Sequence, residues 1–385
     1  MEAAIAQEAE RRTSYLELFF DLVFVFAITQ VTALMLAEPT AAGYAKSALV
    51  LGMVYWAWSG YAWATNAIDL GRPLLRLGYL AAMGASFGMA IAVPDAFGDQ
   101  TLWFVVPYVV VRLVNLVLYI GGLRDDREQQ RAVLALAPWF ALSPVLALTG
   151  ALLGGRLLIV LWCAGLALDV LGTLRAGKGA GFRVAPDHFA ERYALFIIIA
   201  LGESIVAIGL GLADHTRDAA FALSLAVAFA GVAAIWWAYF DFTAAVMART
   251  LRNQPEERRG PMARDVFTLC HYPIVLGIIF FAVAAKKTVA HPGDPLPGAG
   301  RFALGAGIAL FLVGFALARY RVLKRIAWER VAAATAALAA VAALPDAKGL
   351  ALMAIVVGCL VAGLVAETVR IREFRAEVRS GPTQH

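Results

Sequence analysis

Apolar residues run along the chain in long blocks separated by short polar connections. The blocks fall at about 16–36, 46–65, 74–93, 102–120, 131–149, 156–175, 189–211, 219–242, 265–286, 301–318, 330–344 and 349–369. A helix rises about 1.5 Å per residue, so about 20 residues cross roughly 30 Å of hydrocarbon. Each block reaches or nearly reaches that length. The blocks lack the period-two alternation of a membrane barrel strand. The pattern therefore predicts an all-α, polytopic integral membrane protein with about twelve transmembrane helices. The weakest blocks are 131–149, which contains Pro138 and Pro144, and the Ala-rich 330–344.

Composition agrees. Of 385 residues, 61% are hydrophobic and 16% charged, against about 25% charged in soluble domains. A soluble enzyme, a disordered chain and a disulfide scaffold are excluded on that ground. Cys163, Cys270 and Cys359 all sit inside apolar blocks without metal-ligand spacing, so they read as small buried hydrophobes and no metal site is expected. The first residues are polar and mixed in charge, unlike a signal peptide.

The net charge of +5 is informative through its positions. Of 33 Lys and Arg, seven (Lys46, Arg156, Arg217, Lys286, Lys287, Arg301 and Lys348) fall in one set of alternate connections. Arg112 lies inside a block, and the other 25 fall in the opposite set. Under the positive-inside rule this bias places both termini in the cytoplasm, and the expected location, with the resemblance given below, is a bacterial cytoplasmic (inner) membrane. It also removes any reason to expect nucleic acid as a partner; the bilayer is the expected partner.

The chain also reads as a duplication. Aligning Glu17 with Glu191 sets Trp56-Ala57-Trp58 beside Trp237-Ala238-Tyr239. The expected organisation is an N-terminal cytoplasmic segment, 1–15, a six-helix repeat, 16–175, and a linker, 176–188. A second six-helix repeat, 189–370, and a tail, 371–385, follow. Six is even, so the repeats would run parallel about an axis along the membrane normal.

Ionisable groups inside spans are costly and so are functional candidates. Glu17 and Asp21 lie one turn apart in the first block; Glu191 and Arg192 open the seventh. Glu203 follows Glu191 by twelve residues, about 18 Å along a helix, which puts it near the bilayer midplane beside Gly202. Arg112 and Asn115 share a face with Tyr108 and Tyr119, and Arg112 needs a carboxylate, with Asp21 and Asp169 as the available partners. Asp241 ends the aromatic run Trp236-Trp-Ala-Tyr-Phe-Asp241. His271, two residues before Pro273, lies where a broken helix lines a cavity in many transporters. Binding or transport candidates are therefore Glu203, Asp21, Glu17, Arg112, Asn115, Asp169, Glu191, Arg192, Asp241 and His271. No phosphate loop, dinucleotide fingerprint or HExxH zinc motif is present, so neither a cofactor nor an enzymatic activity is expected.

Four stretches together resemble the bacterial low-temperature-requirement A (LtrA) family of membrane proteins. They are Glu17-Leu-Phe-Phe-Asp-Leu-Val-Phe-Val-Phe-Ala-Ile-Thr-Gln30, His188-Phe-Ala-Glu-Arg-Tyr-Ala-Leu-Phe-Ile-Ile-Ile-Ala-Leu-Gly-Glu-Ser204, Trp236-Trp-Ala-Tyr-Phe-Asp241, and Arg264-Asp265 with His271 and Pro273. The resemblance implies an integral membrane protein named for a cold-growth phenotype, with Glu17, Asp21, His188, Glu191, Arg192, Glu203, Asp241 and His271 on motif positions. A weaker likeness links Phe20-Asp-Leu-Val-Phe-Val-Phe-Ala-Ile-Thr29 to the first helix of two-repeat, six-span potassium channels. Those channels carry Phe-Ser-Asp there, where this chain has Phe-Phe-Asp. The leading functional expectation is a proton- or cation-coupled secondary transporter of a small solute. Its site would lie between the halves, with Glu203 exchanging a proton or cation, Asp21 and Arg112 gating and His271 relaying. An ion channel and a membrane-embedded lipid-handling protein or enzyme are the alternatives.

Overall fold

The computed structural model describes residues 12–176, 182–210 and 218–372. The expected tail beyond 372, linker residues 177–181 and the first 11 residues lie outside the described residues, as do Arg217 and Lys178. Fourteen helices follow one another in the described residues: α1 (Tyr15–Ala37), α2 (Ala41–Ala67), α3 (Pro73–Ile91), α4 (Thr101–Gly122), α5 (Arg127–Leu153), α6 (Gly155–Ala176) and α7 (Pro186–Leu210) come first. Then come α8 (Ala219–Phe240), the short α9 (Thr243–Arg252) and α10 (Glu256–Ala263), α11 (Cys270–Ala290), α12 (Gly298–Leu323), α13 (Trp328–Ala343) and α14 (Gly349–Arg370).

Ten helical stretches are long and apolar enough to cross a membrane among the described residues. Two of the twelve expected blocks are not among the ten. Block 330–344 is α13, only 16 residues long. Block 46–65 is α2, which has ample length at 27 residues but carries Tyr, Trp, Ser, Thr and Asn. Its side chains are buried along most of its length, and a helix surrounded by protein has no lipid-facing stripe to keep apolar. The block with two prolines is one continuous helix, α5.

The chain forms two compact units. The first comprises Met1–Ile199 and Leu251–Arg264, the second Ala200–Thr250 and Asp265–His385, and the chain passes from one to the other within α7. In the first unit α1 packs on α2 and α3, α3 on α4, α4 on α5, α5 on α6, and α2 also meets α4 and α6.

An ion pair ties three of these helices. Arg112 on α4 makes a two-pronged bridge to Asp169 on α6, Nη1 to Oδ2 at 2.8 Å and Nη2 to Oδ1 at 2.6 Å. Ser143 of α5 donates to Asp169 Oδ2 at 2.8 Å, and Arg112 Nη1 donates to the Tyr108 hydroxyl at 3.1 Å. Arg112 Nη2 also reaches the carbonyl of Phe140 at 3.4 Å. That carbonyl sits four residues before Pro144, which has no N–H to give it. The proline thus leaves an acceptor inside α5 that the arginine uses.

In the second unit α11 packs against α12, α8 and α14, and α12 against α13. Helix α11 is almost wholly enclosed, and its approach to α12 is close. A Cβ on Gly277 would stand 2.5 Å from the Gly307 carbonyl oxygen, and one on Gly307 would stand 2.8 Å from the Phe281 nitrogen. Small residues let backbones meet in this way where lipid supplies no hydrophobic drive between helices. A six-residue π turn, Arg264–Leu269, leads into α11 ahead of Pro273.

Two stability measurements follow. Arg112→Ala leaves Asp169 as a buried charge without its partner, so unfolding in mild detergent is expected to become easier by about 3–5 kcal/mol. The double change Arg112→Met with Asp169→Leu should recover most of that loss; a double variant no better than the single would refute the ion-pair account. Gly307→Leu should cost roughly 1–3 kcal/mol or more by forcing α11 and α12 apart, and an unchanged unfolding midpoint would contradict that contact.

Candidate functional site

The first unit gathers a buried polar cluster where α1, α2 and the first half of α7 meet. It starts from local chemistry. Ser14 caps α1, its hydroxyl accepting from the Glu17 amide at 3.3 Å, and Glu17 Oε2 accepts in return from the Ser14 amide at 2.8 Å. This reciprocal capping box uses one oxygen of Glu17 and leaves Oε1 directed into the protein. There Oε1 meets His188 Nε2 and Arg192 Nη1, each at 3.0 Å. One turn further along α1, Asp21 Oδ1 accepts from Arg192 Nη2 and from the Trp58 indole N–H, both at 2.8 Å. The four-residue spacings Glu17–Asp21 and His188–Arg192 put both pairs on facing helix stripes.

A second shell orients the histidine. Asn66 on α2 is held by the backbone of Ala185: its Oδ1 accepts from the Ala185 amide at 2.9 Å and its Nδ2 donates to the Ala185 carbonyl at 3.1 Å. The remaining Nδ2 hydrogen points at His188 Nδ1, 3.1 Å away. Nδ1 is therefore the acceptor, and the ring proton sits on Nε2 facing Glu17. An imidazolium would set two donors against each other.

Aromatic rings exclude water around these charges. The Trp58 ring lies 4.0 Å from Phe196 and 5.0 Å from Tyr193, centroid to centroid. The Arg192 guanidinium stands 5.8 Å over Trp58, and Ser59 bonds the Tyr193 hydroxyl at 2.8 Å. Arg192 is fully buried, and Glu17 and Asp21 are each 3% exposed. Charge does not balance in this enclosure. Two carboxylates face one permanent cation, the Arg192 guanidinium, among the described residues. Asp21 Oδ2 is moreover without a hydrogen-bond partner among the described residues. Asp21 is one of the residues of a groove of about 320 Å³ between α1 and α7, otherwise lined by Tyr15, Leu18, Phe19, Leu22, Val25, Leu195, Ile198 and Ile199.

The other candidates fall elsewhere. Arg112 and Asp169 form the tie described above, so of its two expected partners Arg112 takes Asp169, while Asp21 takes Arg192. Asn115 packs against Gly60, with Nδ2 lacking a partner among the described residues. Glu191 is exposed and accepts from the Thr13 amide at 2.9 Å, a surface anchor. In the second unit Glu203 is buried, 3% exposed. A Cβ on the adjacent Gly202 would meet nothing within 4 Å among the described residues. Asp241 is half-buried at the C-terminal end of α8. His271 donates from Nδ1 to the Val266 carbonyl at 3.0 Å, and its Nε2 accepts from Tyr239 at 2.8 Å. It thereby braces the π turn before α11. No grouping of three or more His, Cys, Asp or Glu able to hold a metal occurs among the described residues.

Sequence reasoning placed Glu17, Asp21 and Arg192 but did not count His188, Trp58 or Asn66 among the candidate site residues. The His188-x-x-x-Arg192 spacing opposite Glu17-x-x-x-Asp21 and the Ser14-x-x-Glu17 box were the available signals; nothing local marks Asn66.

The histidine assignment is open to test by nitrogen NMR of the labelled ring. In the wild type the hydrogen should sit on Nε2, with Nδ1 accepting from Asn66. Asn66→Asp places an acceptor at Nδ1 and should add the second. A wild-type ring protonated on both nitrogens would overturn the assignment.

A sequence model of the bacterial low temperature requirement A protein (LtrA) matches residues 12–366. A protein of Rhizobium meliloti (strain 1021), itself described as uncharacterized, is 31% identical over 318 residues, covering 79% of this chain and 76% of the relative. No solved structure matches the chain. The family match spans all of the helices that build the cluster and continues nearly to the end of α14: the chain belongs to the LtrA family.

Proposed function

We propose that this LtrA-family membrane protein is a secondary transporter of a small solute, coupled to a proton or cation that is exchanged at Asp21. One observation carries the reading: among the described residues, an enclosed cluster holds two carboxylates and a single permanent cation, and one of the carboxylates, Asp21, has an oxygen without a partner and lies in the wall of a groove. An uncompensated charge in a low-dielectric interior costs several kcal/mol. The cluster is therefore more stable with one more positive charge, a proton or a cation, than without it. Of the two carboxylates, Glu17 has both oxygens engaged, by Ser14 on one side and by His188 and Arg192 on the other. Asp21 has one oxygen spare. It takes the exchanging role expected of Glu203, and Arg112, fully engaged with Asp169, does no gating.

In this mechanism Arg192 is the constant partner. When Asp21 is charged, Arg192 balances it and Glu17 is left with His188. When Asp21 takes up the proton or cation, Arg192 is released toward Glu17. That shift moves α1 relative to the first half of α7 along a pair of facing stripes. The positive-inside bias puts this end of the helices on the cytoplasmic side.

The groove supports lipid handling as the second reading. Its lining is apolar apart from Asp21 and Tyr15, and Phe19, Leu22 and Ile198 are about half exposed, which suits an acyl chain.

Proteoliposomes loaded with a pH-sensitive dye and offered a panel of small solutes across a pH gradient test the proposal. The wild type should show proton flux driven by at least one solute, and Asp21→Asn should reduce it about tenfold or more while leaving the protein folded. Equal flux in both would refute the coupling role. Labelled-lipid exchange that depends on Asp21, without solute-driven flux, would decide for lipid handling.

A further inference from the structure

The second unit contains a polar pocket that transport does not use. Glu367, on α14, is held between two arginines: Arg330 Nε donates to its Oε2 at 2.9 Å and Arg319 Nη1 to its Oε1 at 3.1 Å. Arg330 Nη2 donates to the Thr243 hydroxyl at 3.1 Å, and that hydroxyl donates to the Ala238 carbonyl at 2.9 Å. The neighbouring pair Arg370–Glu329, 2.6 Å, is neutral on its own. Two guanidiniums against one carboxylate leave one positive charge in excess. Arg330 is 6% exposed, yet its Nη1 has no hydrogen-bond partner among the described residues, and neither has Arg319 Nε. The Arg330 guanidinium stands 4.6 Å over the Phe315 ring, which closes one of its faces.

These groups line a cavity of about 80 Å³, whose remaining wall is apolar and includes Val246, Met247, Val322 and Leu323. One water needs about 10–15 Å³ by the same measure, so the space takes roughly five to eight non-hydrogen atoms, enough for a tetrahedral oxyanion. The donors are arginine N–H groups, which match phosphate oxygens in geometry and charge.

We propose that this pocket binds the phosphodiester of an anionic phospholipid, with Arg330 Nη1 and Arg319 Nε as the donors. Three observations fix the class. The single excess positive charge matches a single phosphodiester negative charge. Both free donors belong to guanidiniums already oriented by Glu367. The apolar wall beside them suits the glycerol and upper acyl chain of a lipid rather than a hydrated free ion. Basic pockets between helices at the cytoplasmic leaflet meet such headgroups, and the charge bias of the connections puts this end of the second unit there.

The test uses the full chain in mild detergent. Unfolding temperature is followed on adding phosphatidylglycerol, phosphatidylcholine or inorganic phosphate, and lipid retention is read by native mass spectrometry. Phosphatidylglycerol should stabilise the wild type and be retained; phosphatidylcholine should do much less. Arg319→Met leaves the Arg330–Glu367 pair intact and neutral, so the protein folds, and should weaken the apparent affinity for phosphatidylglycerol about tenfold. Arg319→Lys, which keeps the charge, should recover part of it. Equal responses to the two lipids, or an unchanged response in Arg319→Met, would overturn the proposal. So would stabilisation by inorganic phosphate alone, which would make this a free-phosphate site.

Discussion

Placing charge where water cannot follow is the constraint on which the first unit turns. Arg192 is fully buried, and its position is set by the two carboxylates of α1 that it bridges. An exposed pair such as Arg72–Asp125 contributes about 0–1 kcal/mol and tolerates either partner being lost. The interior pair has no such freedom. Trp58 answers Asp21, and Asn66, held by the Ala185 backbone, answers His188, while Arg192 Nε and Nη1 and Asp21 Oδ2 are left without a hydrogen bond among the described residues.

Two buried arginines in this unit show how the same chemistry serves two ends. Arg112 meets one carboxylate in a matched fork, with serine, tyrosine and a proline-freed carbonyl completing the set. Such a closed arrangement holds helices in register and has nothing to exchange. Arg192 meets two carboxylates, and the sum is negative. The difference lies in charge balance, not burial, since both arginines are enclosed. His271 belongs with the first kind: both ring nitrogens are committed to bracing a π turn and a tyrosine.

Much of the second unit rests on the opposite device, the absence of side chains. Gly277 and Gly307 let α11 lie against α12 at backbone distance. Hydrocarbon is as apolar as a leucine side chain, so helices in it gain by close fit rather than by escape from solvent. The polar pocket around Arg330 sits at the end of this tightly packed set, where the helices open enough for two guanidiniums and one glutamate.

Hydrophobic run length made the membrane class and most spans readable from the amino-acid order, because hydrocarbon thickness imposes one length on every crossing. Motif residues likewise carried the family, along with Glu17, Asp21 and Arg192 as residues of interest. Pairing was not readable. Asp21 and Asp169 were equivalent partners for Arg112 on paper, and nothing in the order of residues distinguishes a carboxylate that faces α4 from one that faces α7. Asn66 and Glu367 lie far along the chain from the groups they orient, and Arg330 read merely as a loop charge. Which charges meet, and whether they cancel, depends on distances between helices brought together by packing. That information is absent from any local pattern, because a side chain's electrostatic partner is set by space and not by sequence separation.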